Sequence, residues 1–315
     1  MAGSKKIAFL FPGQGSQAVG MGKAFAETSA EARARFAAAD AALGMDLGRL
    51  CFEGPLDRLT LTANAQPAVL TASMAAADAL GDAGIRPDFV AGHSLGEYTA
   101  LVAAGALDFA DAVRVVRARG TFMQEAVPEG QGAMAAILGI PEAAIREACA
   151  SAEQEGAGVV DVANLNAPDQ TVISGAVAGV ERAMALCRER GAKRAVRLQV
   201  SAPFHCRLLR PAADRLAEAL RAIRVGAPRF PVVRNVDAEL MTDPAEVVPS
   251  LIRQVCAPVR WEPSMRRLLK EGVEVFIEVG PGKVLAGLLK RVADGTAVYS
   301  VEHPDGVRAV REALA

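Results

Sequence analysis

Pro87-Asp88-Phe89-Val90-Ala91-Gly92-His93-Ser94-Leu95-Gly96 runs from an apolar segment into a G-x-S-x-G, and Glu97 to Ala106 continues it as an Ala/Leu-rich stretch. The first five residues read as a short buried strand and the last ten as a helix. A serine on the tight turn between such a strand and helix is presented as an exposed nucleophile. Five residues alone recur by chance, so the flanks in the required order carry the reading. They point to covalent acyl chemistry on an α/β scaffold.

Outward from this turn, Ile7 to Phe11 reads as a first buried strand ending in the glycine-rich Pro12-Gly13-Gln14-Gly15-Ser16-Gln17. Residues 24–43 and 66–81 carry helix formers and little strand character. Phe109 to Gln124 continues beyond the turn as a helix with arginines on one face. Between Gln131 and Leu198 the texture changes. The order becomes strand (Ala133–Leu138), helix (Pro141–Glu155), strand (Val159–Asn164), strand (Thr171–Ser174), helix (Val177–Arg190) and strand (Ala195–Leu198). That β-α-β-β-α-β order is ferredoxin-like and suggests an inserted small domain. A helix over Cys206–Ile223, strands over Arg229–Asn235 and Val273–Val279, and a final helix over Lys283–Val292 restore the α/β texture.

The 315 residues, 51% hydrophobic and 23% charged, describe a soluble globular chain long enough for one large domain or two. A net charge of -1 offers no global attraction to nucleic acid or an anionic membrane. Cys51, Cys149, Cys187, Cys206 and Cys256 form no C-x-x-C pair, which suits a reducing cytoplasm and argues against disulfides or a structural metal. The start, Met1 to Lys6, is polar, and the apolar run after it is too short for a signal-peptide core or a membrane span.

Gly13-x-Gly15-x-x-Ala18 also fits a dinucleotide fingerprint, but that motif wants a second strand ending in an acidic residue, and Ala37 to Leu43 is helical in texture. The alternative is that Gln14 aims its amide at the oxygen that turns negative when Ser94 attacks. Of the three histidines, His93 sits within the turn, where its side chain should point away from Ser94, and His303 lies near an exposed turn. His205 remains as the base. For its orientation Asp108, Asp111, Asp161 and Asp169 are formally available, and a backbone carbonyl or side-chain amide would serve as well. Arg119 reads either as a solvated helix-end cation or as a guanidinium fork for a substrate carboxylate.

Gly13-Gln14-Gly15-Ser16-Gln17, Gly92-His93-Ser94-Leu95-Gly96-Glu97-Tyr98, Arg119 with Met123-Gln124, Pro203-Phe204-His205 and Glu278-Val279-Gly280-Pro281-Gly282 together resemble the malonyl-CoA:acyl-carrier-protein transacylases, in unbroken order from about residue 7 to 293. The resemblance implies an α/β-hydrolase-like large domain (residues 1–128 and 200–315) with a ferredoxin-like insert (129–199). It implies Ser94 as nucleophile and His205 as base, then acid. Gln14 and the Leu95 N–H would form the oxyanion hole, and Arg119 would hold the malonyl carboxylate. The backbone carbonyl of Gln254 would orient the histidine. Met123 and Phe204 would shape the acyl pocket, with Phe204 crowding an α-methyl branch. Asn164 and Asn166 match family asparagines.

The implied partners are malonyl-CoA and acyl carrier protein, with no cofactor, metal, nucleic acid or membrane, and the implied pathway is fatty-acid synthesis. A free-standing acyltransferase serving a polyketide synthase would use the same chemistry. A serine esterase or thioesterase would use water as acceptor and need no Arg119; a non-catalytic carrier-binding module would need neither Ser94 nor His205. For an acidic carrier protein, the basic residues Arg188, Arg190, Lys193, Arg194, Arg197, Arg207 and Arg210 are the candidate docking surface.

Overall fold

The computed structural model describes residues 5–314; the polar start Met1 to Ser4 and Ala315 lie outside the described residues. Its centre is a six-stranded sheet in the order β10-β9-β1-β2-β7-β8. These strands are β1 (Lys6–Phe11), β2 (Phe89–Gly92), β7 (Val232–Val233), β8 (Leu240–Met241), β9 (Val273–Val279) and β10 (Ala297–Val301). All neighbours are parallel except β7 and β8. A sheet covered on both faces needs near-continuous apolar strands, and Ala8 to Phe11 and Phe89 to Ala91 are all buried. The three loops that matter for chemistry leave the carboxyl ends of β1, β2 and β7, where open parallel sheets gather their ligands.

Four antiparallel strands form a second sheet in the order β4-β5-β3-β6: β3 (Gly132–Leu138), β4 (Val160–Ala167), β5 (Gln170–Ala176) and β6 (Arg194–Arg197). Helices α8 (Glu142–Gln154) and α9 (Val177–Glu189) close a separate apolar cluster on its back, with Ile137, Ile145, Ile173 and Val180 at its heart. β4 is stitched to the segment just before α12 (Trp261–Lys270), where Leu165 N–H donates to the Val259 carbonyl at 2.9 Å and Val259 N–H to the Ala163 carbonyl at 2.9 Å.

Several expectations are corrected. The helix expected over 24–43 is two, α1 (Lys23–Thr28) and α2 (Ala30–Leu43), because Ser29 is extended at φ -128° and caps α2 by accepting from Ala32 N–H. Two short helices, α3 (Leu47–Glu53) and α4 (Leu56–Thr60), were not expected, and the helix read over 66–81 begins earlier, as α5 (Thr62–Asp82), with Pro67 in its first turns. Pro67 is the sixth residue of α5, so the Ala63 carbonyl one turn earlier goes without the N–H it would otherwise accept from. The elbow helix is α6 (Leu95–Ala103), and α7 (Phe109–Ala126) runs past Arg119 for two more turns. The helix expected from Cys206 starts as a 3-10 turn over Arg207–Leu209 and continues as α10 (Arg210–Arg221). The strand expected over Arg229–Asn235 pairs only at Val232–Val233. The helix read as final, α13 (Val284–Val292), is followed by β10 and α14 (Pro304–Leu314). No helix among the described residues is long and apolar enough to cross a membrane.

Candidate active site

Between β2 and α6 the chain turns through Ser94 at φ 53° and ψ -104°, a conformation L-residues avoid. The flanking glycines permit it: a Cβ on Gly92 would sit 1.9 Å from the Gly96 carbonyl, and one on Gly96 2.1 Å from the Phe11 oxygen. Ser94 is the N-cap of α6, yet its hydroxyl makes no cap bond. It meets His205 Nε2 at 2.7 Å instead. His205, also held at positive φ (60°), has Nδ1 2.9 Å from the Gln254 main-chain carbonyl, at the end of α11 (Val247–Gln254).

A carbonyl only accepts, so Nδ1 carries the proton and Nε2 is bare toward the Ser94 hydroxyl. Burial, and then the Arg119 charge, push the His205 pKa down to about 3, so the ring is neutral at physiological pH and able to take a proton. The four aspartates are occupied elsewhere. Asp108 caps α7, Asp111 pairs with Arg114, Asp161 with Arg207 and Asp169 with Arg291.

Arg119 is 2% exposed, which removes the solvated-cation reading. Its guanidinium donates to Gln66 Oε1 at 2.8 Å, to Gln254 Oε1 at 3.0 Å and to Ser94 Oγ at 3.1 Å. A fixed, donor-only fork therefore lies beside the nucleophile, at a cavity of about 200 Å³ lined by Gln14, Gln66, Ser94, Phe204 and His205 among others. A larger open groove of about 940 Å³ between α2, α5 and the 224–230 loop holds none of these groups.

One expectation about the cavity changes, that of Met123 on its wall. The side-chain amide of Gln14, on the cavity wall, donates one of its two hydrogens to Thr62 Oγ1 at 3.1 Å and keeps the other. The main-chain N–H groups of Gln14 and Leu95 find no acceptor among the described residues. Met123 does not line the cavity; it lies buried behind Gln66, whose Nε2 is 3.9 Å from its sulfur. His93 turns from Ser94 as expected, with Nε2 2.9 Å from Asn166 Oδ1 and its ring against Trp261. Asn164 lines the cavity.

Three contributors were not assigned a role from sequence. Gln66 holds Arg119. Asn235 accepts the Ser94 N–H at 2.7 Å and donates to the Gly92 carbonyl at 2.7 Å. Glu97, fully buried, accepts from Gln254 Nε2 at 2.7 Å and from Asn235 N–H at 3.1 Å. The only signals were positional: a polar residue just past a buried strand, and isolated amides in an apolar helix.

Residues 8–302 match the acyl transferase domain family. The chain belongs to that family. Within it, the chain is 52% identical to the malonyl CoA-acyl carrier protein transacylase of Bacillus subtilis over 98% of this chain and 97% of that one. Identity to the transacylase of the same name from Escherichia coli is 49%, over 98% and 99%. Among solved structures of the family, the transacylase of Coxiella burnetii superposes with a TM-score of 0.96 at 42% identity, over 99% of this chain and 98% of that one. A malonyl-transacylase solved in complex with a type II PKS acyl-carrier protein superposes at 0.94 with 43% identity, over 98% and 99%. In this chain the strand-turn-helix, the histidine and the buried arginine are met as one assembled site.

Proposed function

We propose that the protein moves a malonyl group from malonyl-CoA to the phosphopantetheine thiol of an acyl carrier protein, through an ester on Ser94. His205 Nε2 takes the Ser94 proton as Oγ attacks the thioester carbon. The carbonyl oxygen turns negative beside the Gln14 and Leu95 main-chain N–H groups. Collapse breaks the C–S bond, and the coenzyme A sulfur leaves with the proton from His205. The carrier thiol then repeats the steps in reverse order, freeing Ser94, so the kinetics are ping-pong. Both steps use groups of the chain alone, and no cofactor or metal enters.

The observation that carries this reading is Arg119, buried within 3.1 Å of Ser94 Oγ. A desolvated fork suits a planar carboxylate, and a hydrolase of neutral esters has no use for it. Half-buried Phe204, on the cavity wall, would crowd an α-methyl branch, a discrimination of ~1 to 3 kcal/mol.

We read the large sheet with its helices as α/β-hydrolase-like (1–128 and 200–315). The four-stranded unit (129–199) we read as ferredoxin-like, because its strand order and antiparallel pairings fit that pattern. Five unpaired cysteines favour a cytoplasmic setting. Fatty-acid synthesis is the pathway we favour; the likeness to a type II PKS partner enzyme supports polyketide supply as the second reading. Of the basic residues expected to meet the carrier, Arg207 is spent on Asp161 and Glu153 and Arg197 on Glu181, whereas Lys193 and Arg194 stand exposed.

The test is acceptor partition: malonyl-CoA is supplied with and without an acidic holo carrier protein, and products are separated. Malonyl-carrier protein with little free malonate supports transfer. Malonate released at the same rate without carrier contradicts it.

A further inference from the structure

We propose that Glu97 is a positioning residue: its carboxylate locks the Gln254 side-chain amide in one orientation, and through that amide it ties the Arg119 clamp to the Ser94–His205 pair. The inference rests on the malonyl-transfer reading above. A carboxylate only accepts hydrogen bonds and a guanidinium only donates them. The Gln254 amide stands between the two, with Nε2 on Glu97 Oε2 at 2.7 Å and on the Ser94 carbonyl at 2.9 Å, and Oε1 under Arg119 at 3.0 Å. Turned over, it would set oxygen against carboxylate and NH2 against guanidinium. One orientation satisfies all three neighbours, and it is the one that holds Arg119 at Ser94.

A second arm runs through Asn235. Its main-chain N–H donates to Glu97 Oε2 at 3.1 Å, and its side chain bridges the Ser94 N–H and the Gly92 carbonyl, both at 2.7 Å. The strained peptide at Ser94 is thus held at its N–H by Asn235 and at its C=O by Gln254, and both holders are fastened to Glu97. An acid at the third position of a helix ordinarily folds back onto the N-cap N–H. Here Asn235 takes that N–H, which frees Glu97 for the brace. Burial raises the Glu97 pKa to about 7, so an ionisable group is kept where a packed apolar side chain would be easier to bury.

Single-turnover loading of Ser94 from malonyl-CoA and from acetyl-CoA, read by intact mass at pH 8, tests the brace in Glu97→Gln, Glu97→Leu and Gln254→Leu. Glu97→Gln keeps an accepting oxygen and should load malonyl within about 5-fold of wild type. Glu97→Leu strands the buried donors of Gln254 and Asn235 and should slow malonyl loading about 10- to 100-fold. It should also reduce the malonyl-over-acetyl preference, which a merely structural role would not move. Gln254→Leu keeps the main-chain carbonyl on His205 and should lose the same preference, so it decides the matter if Glu97→Leu does not fold. The proposal is overturned if Glu97→Leu loads malonyl like wild type, if Glu97→Gln falls as far as Glu97→Leu, or if the preference is unchanged in Gln254→Leu. Adduct that persists in Ser94→Ala overturns instead the functional reading beneath it.

Discussion

A serine at a helix N-cap normally turns its oxygen onto the helix's own N–H groups; Ser94 does not, because its twisted backbone aims the hydroxyl at His205 and Asn235 takes its N–H. The turn depends on two missing methyl groups. Gly96→Ala would drive a Cβ to 2.1 Å from the Phe11 oxygen, so it should abolish the acyl-enzyme and cost at least ~1 to 3 kcal/mol in a denaturant midpoint. A well-folded, acylating variant would refute that account of the turn. His205 supplies a second prediction. With its pKa at about 3, Ser94 labelling by a small neutral reagent should stay level from pH 8 down to pH 5. A histidine at the ordinary value near 6.5 would slow by roughly 30-fold over that span. Arg119→Ala removes the second cause of the depression, so its acid limb should move to higher pH. Wild-type labelling that halves near pH 6.5 would contradict this. Ser94 was legible from its motif, His205 by elimination among three histidines and the Gln254 carbonyl only through the family resemblance; Gln66 and Asn235 were not, since contacts 53 and 141 residues apart decide their roles.

Among the elements, those with continuous apolar runs or strong helix formers were readable in sequence, and those made by tertiary pairing were not. β9 begins and ends where its Val273–Val279 pattern says it should, but β7 keeps two residues of an expected seven because only Val232 and Val233 find partners in β2. One reading of Arg119 made it a solvated helix-end cation, yet α7 runs on to Ala126. A Cβ on Gly120 would lie 2.7 Å from the Thr62 carbonyl, so the glycine serves close packing of α7 on α5 rather than termination. Glu278, at the end of β9, accepts from Leu285 and Ala286 N–H at 3.0 and 2.8 Å and so seats the start of α13. Burial raises its pKa from 4.5 to about 7. A raised folded value means its stabilisation is present in full below pH 4.5 and is lost as pH rises through 7. The stability of wild type minus that of Glu278→Gln, from urea midpoints, should therefore fall from pH 4.5 to 7 and then level. A difference that rises with pH would reverse the assignment.

At the scale of the molecule, the cavity is lined both by loops of the large unit and by Met134 and Asn164 of the four-stranded sheet, and β4 is joined to the large unit backbone to backbone at Val259. Trp261, the only tryptophan, is fully buried beside that joint with its ring 5.5 Å from His93. Its fluorescence should follow far-UV circular dichroism through a single thermal transition. A small sheet that melts first, with Trp261 undisturbed, would mean the site tolerates separation of the two units. The switch in element order between Gln131 and Leu198 was visible in the sequence, and the four-stranded sheet falls within that stretch. The joint itself was not visible, since it is made by main-chain groups that no side-chain pattern marks.

The account stands most directly on what attaches to Ser94. Intact mass after brief exposure to malonyl-CoA or acetyl-CoA should show a malonyl adduct on wild type, none on Ser94→Ala, little from acetyl-CoA, and a much reduced malonyl adduct on Arg119→Ala. An acetyl adduct equal to the malonyl one, unaffected by Arg119→Ala, would contradict the central claim that a buried arginine beside a strained serine selects a carboxylated acyl group.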